Sequence, residues 1–254
     1  MCKKSIFLIF SSIFVLTFMM VATPRQVVAQ CYFQGIADNK YAPTGNKAIS
    51  YPQISIRTNR TPMRTDLNEV IQLADKAAAK YPIADKKHRA EAVVKELTSY
   101  FGSGTLGHTW IIIFNSSKPG DYTSYGYHES YGFVKNGNSF IKNDSVERTV
   151  PLTSLKQRPE ELEKIVIPAL NRQSVEIANI MGIHAAAPQR GAYTPISNCA
   201  WFAGNLWNTV TGESLNFEQN FNGPLYAENW GMNFLNNVFK IADPGLIAEN
   251  IAEK

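Results

Sequence analysis

A cysteine in the first turn of a helix and a histidine at the mouth of an apolar strand are a nucleophile and a base, provided the fold brings them together. The chain holds one of each. "ISNCAWFAGNLWNTVTGE" starts a helix at Cys199, and "GHTWIIIFN", residues 107–115, sets His108 ahead of a β-branched and aromatic run. At a helix start the backbone N–H groups lack intrahelical acceptors and the dipole is positive, so a thiol there is expected to lose its proton readily. The thiolate attacks a carbonyl carbon, and turnover then needs an imidazole within hydrogen-bond reach to hold the ion pair and protonate the leaving group. His108 is the best candidate for that imidazole. The backbone N–H of Cys199 is the simplest oxyanion donor, while Asn198 could donate to an oxyanion or substrate or could only cap the helix. Both main residues also have structural uses. A lone cysteine beside Ala200, Trp201 and Phe202 can pack as a small apolar group, and a strand histidine can belong to a core.

Periodicity supplies the elements that must position them. Residues 30–64, rich in Asn, Pro, Thr and Arg, read as a loop-rich N-terminal segment in which "QISIR" is at best a short strand. Leu67, Val70, Ile71 and Ala74 recur at helical spacing behind Thr65 or Asp66 as a cap, predicting a helix to about Lys80; Ala90, Val93, Val94 and Leu97 predict a second, ending near Tyr100. Thr109 to Phe114 reads as a strand. "YTSYGYHESYGFV" reads as its partner strand, and Asn136-Gly137 as a hairpin turn before "SFIK". "VERTVPL" is a further strand candidate. Residues 159–187 read as mainly helical, broken or kinked at Pro168. The helix of Cys199 should stop near Gly212, and a last helix should start at Asp243-Pro244. The aromatic, Asn- and Gly-rich tail between them reads as a long surface segment. The fold class is α+β: a small antiparallel sheet packed on the cysteine-bearing helix, with extra helices on the N-terminal side.

"LGHTWIIIF", "YGYHESYGF" and "YTPISNCAWFAGNLWN", in that order, resemble the circularly permuted papain-like hydrolases. That group includes the PPPDE peptidases, the lecithin:retinol acyltransferase-like proteins and the bacterial permuted NlpC-type amidases. The resemblance covers roughly residues 100–212. It implies a permuted papain-like fold with Cys199 as nucleophile and His108, 91 residues earlier, as general base and acid. It also implies that Tyr193 lies at the substrate or oxyanion side of the site, and that a third polar group on the next strand orients the base. His128 and Glu129 are the candidates for that group. Neighbours on a strand face opposite ways, so one of them points at the site; the acyltransferase-like pattern favours His128. The joint occurrence of Cys199 and His108 in this order favours a catalytic pair over two structural residues. No metal or organic cofactor is required.

The first residues set the compartment. Lys3 and Lys4 precede an apolar block from Ile6 to Ala22, and Val27 and Ala29 form a small-residue cleavage site, the plan of a secretory signal peptide over residues 1–29. Taking Lys3, Lys4 and Arg25 out of the net charge of +4 leaves +1, which gives no electrostatic case for a nucleic-acid partner. With 44% hydrophobic and 18% charged residues, the composition is that of an ordinary globular chain; residues 65–254 read as a single domain with a C-terminal extension. Cys31 and Cys199 remain after export, and Cys31 could pair with Cys199 or carry a lipid. His88 among Lys86, Lys87 and Arg89 reads as a solvated face, and His184 has no ligand at metal spacing. Export and the resemblance together make the expected substrate an amide bond in a cell-wall peptide. Alternatives are a lipid or thioester acyl hydrolase or acyltransferase, whose tail around Tyr226 and Trp230 would touch a membrane, a secreted protease or deamidase toxin acting on proteins, and an inactive binding module.

Overall fold

A computed structural model describes residues 45–101, 107–128, 132–135, 148–149, 153–155, 158–182 and 190–253. The signal segment, Cys31, Glu129, His184 and the Asn136-Gly137 turn with "SFIK" lie outside the described residues. Strand β1 (Gln53–Thr58) is buried along its whole length. It pairs antiparallel with β2 (Thr109–Phe114), from Gln53 opposite Phe114 to Thr58 opposite Thr109. The segment expected to be mostly loop thus supplies an interior strand of the sheet. Its sequence hides this: Ile54 and Ile56 alternate with Gln53, Ser55 and Arg57, the pattern of a half-exposed strand, yet both faces are covered.

The Tyr-rich stretch, expected as one strand, is two. β3 (Tyr122–His128) pairs with β2, and β4 (Gly132–Lys135) returns along β3 with Gly132 opposite His128. Gly132 has φ 64°, the left-handed conformation that glycine takes without a steric penalty. β5 (Arg148–Thr149) and β6 (Thr153–Ser154), in the region of the expected "VERTVPL" strand, both pair with β1, so the sheet runs β4-β3-β2-β1-β5 with β6 also on β1.

The helices follow their sequence signals closely. α1 (Leu67–Ala78) and α2 (Lys86–Tyr100) start at the carboxylate caps Asp66 and Asp85. α3 (Pro159–Glu161) passes through a π-helical turn, Leu162–Val166, into α4 (Ile167–Ile180). The expected disturbance at Pro168 takes this form because proline has no N–H to donate to the preceding turn. α5 (Cys199–Thr211) ends at Gly212 in the left-handed conformation. β7 (Glu218–Asn220), α6 (Gly223–Ala227), a 3-10 turn (Asn233–Asn237), β8 (Lys240–Ala242) and α7 (Pro244–Ala252) complete the chain.

Two large apolar cores result, with a smaller cluster of Trp110, Ile112 and Phe114 on the other face of the sheet. In the first, Ile54, Ile56, Ile111, Ile113, Tyr125 and Tyr127 of the sheet pack on Trp201, Phe202, Leu206 and Trp207 of α5. The second joins α1 and α2 to the C-terminal segment through Val70, Val93, Leu97, Phe221 and Trp230. The tail expected on the surface is therefore built into the fold. Trp230 is 3% exposed, and its Nε1 donates to Asp75 Oδ1 at 2.7 Å. Arg89 donates to the carbonyls of Asn229 and Tyr81 and to Asn229 Oδ1. Trp230, suggested above as part of a membrane-touching tail, is thus committed to the interior. Among the described residues no helix is long and apolar enough to cross a membrane.

Candidate active site

Cys199 is the first residue of α5 because Asn198 occupies the capping position. Asn198 Oδ1 accepts from the N–H groups of Ala200 (2.9 Å) and Trp201 (3.2 Å), and Nδ2 donates to the Ala242 carbonyl at 2.8 Å. Both ends of this buried amide are engaged, so of the two roles open from the sequence the structure gives Asn198 the cap.

Among the described residues the Cys199 thiol forms no disulfide, and it is 2% exposed. Burial pushes its pKa above the ordinary thiol value. The Thr109 backbone N–H, the Tyr193 hydroxyl and the N–H groups of Ala200 and Cys199 itself donate toward the sulfur and pull the other way without overcoming burial. The expectation that a helix start makes this thiol readily ionised is corrected: desolvation outweighs the dipole, and the resting sulfur is protonated at neutral pH.

Tyr193 reaches the sulfur because its segment is tied down. Its ring stacks on Tyr127 with centroids 5.9 Å apart. The Tyr127 hydroxyl is 2.8 Å from Ser174 Oγ on α4, which also accepts the Ala192 N–H at 2.9 Å. The resemblance placed Tyr193 beside Cys199, and its hydroxyl donates to the Cys199 sulfur.

His108 and His128 come together as well. Ile111 pairs with Tyr125 and Ile112 with Ser124; continuing that register sets His108 across from His128, on the face that carries Trp110. The imidazoles stack at 4.9 Å, and His108 also stacks on Trp110 at 5.6 Å. Gly126 makes room for them, since a Cβ there would stand 2.7 Å from His128 Nε2. Burial, then the nearby His128, hold His108 well below the usual histidine pKa of 6.5; burial lowers His128 to about 4. Both rings are neutral at pH 7. Glu129, the alternative third residue, lies outside the described residues.

The two groups meet at one peptide unit. The β2–β3 pairing ends at Ile111 and Tyr125. Alternate residues of an antiparallel strand direct their N–H to the same neighbour, and His108 turns its carbonyl to β1, where it accepts the Asn59 N–H at 3.2 Å. Thr109 therefore directs its N–H to the β3 side, past the end of the ladder, and gives it to the Cys199 sulfur. The thiol arrives from the α5 face of the sheet and the imidazole pair stacks on the other face, with the His108–Thr109 peptide between them.

Thr109, Trp110 and Gly126 were not singled out from the sequence. The i, i+2 spacing of His108 and Trp110 on a strand was a usable signal for their stacking; a backbone donor and a missing side chain leave none. His88 is solvated as expected, its ring nitrogen 2.7 Å from Asp85. Among the described residues no group of three or more His, Cys, Asp or Glu side chains could hold a metal ion. No protein-family model, curated protein or solved structure matches this chain.

Proposed function

We propose that this chain is an exported cysteine hydrolase of amide bonds on a permuted papain-like scaffold, acting on cell-wall peptides. The observation that carries the reading is the set of donors around Cys199: one hydroxyl and three backbone N–H groups converge on a sulfur that sits one peptide unit from a buried imidazole pair. Such donors cost little around a neutral thiol and stabilise a sulfur anion as it forms.

The reaction starts from neutral partners. The His108 ring first turns from the far face of the sheet around the start of β2 to the Cys199 side; as the sulfur then bonds to the substrate carbonyl carbon, His108 accepts the thiol proton, and the carbonyl oxygen takes the negative charge against the Cys199 N–H. The imidazolium of His108 then protonates the leaving amine, the C–N bond breaks and a thioester remains on Cys199. Water attacks that thioester with His108 again as base, releasing the acid and restoring the thiol. His128, stacked on His108, orients the base. Export and the resemblance in motif order select cell-wall peptides as substrate.

The test uses purified mature chain on peptidoglycan, with released peptides followed by mass spectrometry. Cys199→Ala should lower turnover by about 10⁴-fold or more and leave the unfolding midpoint nearly unchanged. Turnover at the wild-type rate in that variant would end the reading.

A further inference from the structure

The second core is not completely filled. Between α1, α2 and the C-terminal segment lies a cavity of about 90 Å³, walled by Val70, Leu97, Phe221, Trp230 and Met232. Part of its wall is Asn198, the residue immediately before Cys199. Protein interiors are packed to crystal density and leave few voids larger than a water molecule. An apolar void of about 150 Å³ takes up benzene; on that scale this one accepts about four carbons.

Its rim shows what kind of group fits. Besides Asn198, the polar lining residues are Thr65, Gln219 and Asp243, and these three satisfy one another. The Asp243 carboxylate accepts from the Thr65 N–H (2.7 Å), Thr65 Oγ1 (3.0 Å), Gln219 Nε2 (2.7 Å) and the Gly245 N–H (2.8 Å). The carboxylate is thus committed to the protein, and the occupant must be an uncharged hydrocarbon. The walls are preformed. Trp230 is fixed by its bond to Asp75 and stacks on Tyr226 at 4.9 Å, with Phe221 at 6.2 Å, so the indole cannot swing in to close the space.

We infer that this cavity is a specificity pocket for an uncharged aliphatic group of the substrate. A leucine-sized side chain of a peptide and the end of a short acyl chain offer the same chemistry. The link to Cys199 rests on the hydrolase reading; the binding itself does not.

The test therefore uses the full-length mature chain with Cys199→Ala, labelled with ¹³C at its methionine methyls. N-acetylleucinamide, hexanamide and N-acetylglycinamide are titrated in turn. The Met232 methyl should shift saturably with either or both of the first two, while the third leaves it in place and Met63, 59% exposed, stays put throughout. A response to N-acetylleucinamide alone assigns a peptide side chain, and a response to hexanamide alone assigns an acyl chain. Val238→Phe, which fills the cavity, should weaken binding at least tenfold; Val70→Phe fills it from the opposite wall should the first variant not fold. No saturable shift at Met232, or unchanged binding in the filled variants, overturns the pocket even if wild-type protein hydrolyses peptides. Binding without turnover by the wild type overturns the hydrolase and leaves the pocket standing.

Discussion

The two faces of the β2–β3 hairpin are built differently. Toward α5, Ile111 and Ile113 bury hydrocarbon, and the tyrosine hydroxyls beside them end on partners, Tyr125 on Glu163 at 2.7 Å and Tyr127 on Ser174 at 2.8 Å. The other face holds His108, Trp110, Ser124 and His128, with Ser55 on the neighbouring strand, and it buries Ser55 Oγ, Ser124 Oγ and Trp110 Nε1 without a hydrogen-bond partner among the described residues. A buried polar atom left unbonded costs about 1–3 kcal/mol. A face made for packing alone would carry methyl groups there. The larger apolar core thus lies on the α5 side, which also carries the thiol, while the imidazole pair lies on the other side beside the smaller cluster of Trp110, Ile112 and Phe114.

Truncation on the α5 face should have the largest effect on folding. Phe202 stacks on Tyr127 at 5.3 Å and lies 5.7 Å from Phe133, and Phe202→Ala should destabilise the protein by about 3–5 kcal/mol, measured by urea unfolding. A loss below about 1 kcal/mol, the scale of a surface change, would break the comparison.

Acid should act on the opposite face. Each imidazole has a folded pKa below its unfolded value, so the unfolded chain binds more protons as the pH falls. The stability that the neutral rings supply is complete above pH 6.5 and is lost as the pH drops through the folded values, about 4 for His128. That residue alone accounts for roughly 3 kcal/mol over the window. Unfolding curves at pH 7, 5.5 and 4 should show the loss, and His128→Phe should reduce it; an equal loss in the variant would contradict burial as the cause. The acid limb of kcat/KM should likewise lie below pH 6.5. It should move to higher pH in His128→Phe, because His128 helps to hold His108 low.

The smallest effect sharpens the contrast. Ser124→Ala removes a buried hydroxyl that has no partner among the described residues, so its stability should lie within about 1 kcal/mol of wild type or above it. Destabilisation by more than about 2 kcal/mol would mean that the hydroxyl is bonded in solution.

Local signals were legible in the sequence, and long-range burial was not. Asp66, Asn198 and Asp243 mark helix starts that the structure keeps, because a cap and the turn it serves are neighbours in the chain. β1 was misjudged because its burial depends on β2, some fifty residues away. The tail was read as surface for a similar reason: Trp230 finds Asp75 across 155 residues, and composition carries no trace of that partner. At the site, Cys199 and His108 could be named from residue type and local position, and Tyr193 and His128 from what the resemblance implies. The protonation state of the thiol could not, since helix position is local and desolvation is set by everything packed around the sulfur.

The central claim is that His108 takes the proton of Cys199 as the sulfur attacks. Its most direct test is the rate of acyl transfer from a peptidyl p-nitrophenyl ester to the protein, followed by intact mass and peptide mapping. The acyl group should land on Cys199, and His108→Gln should slow its arrival by about 10²–10⁴-fold. An acyl group on any other residue, or an undiminished rate in the variant, would contradict the account.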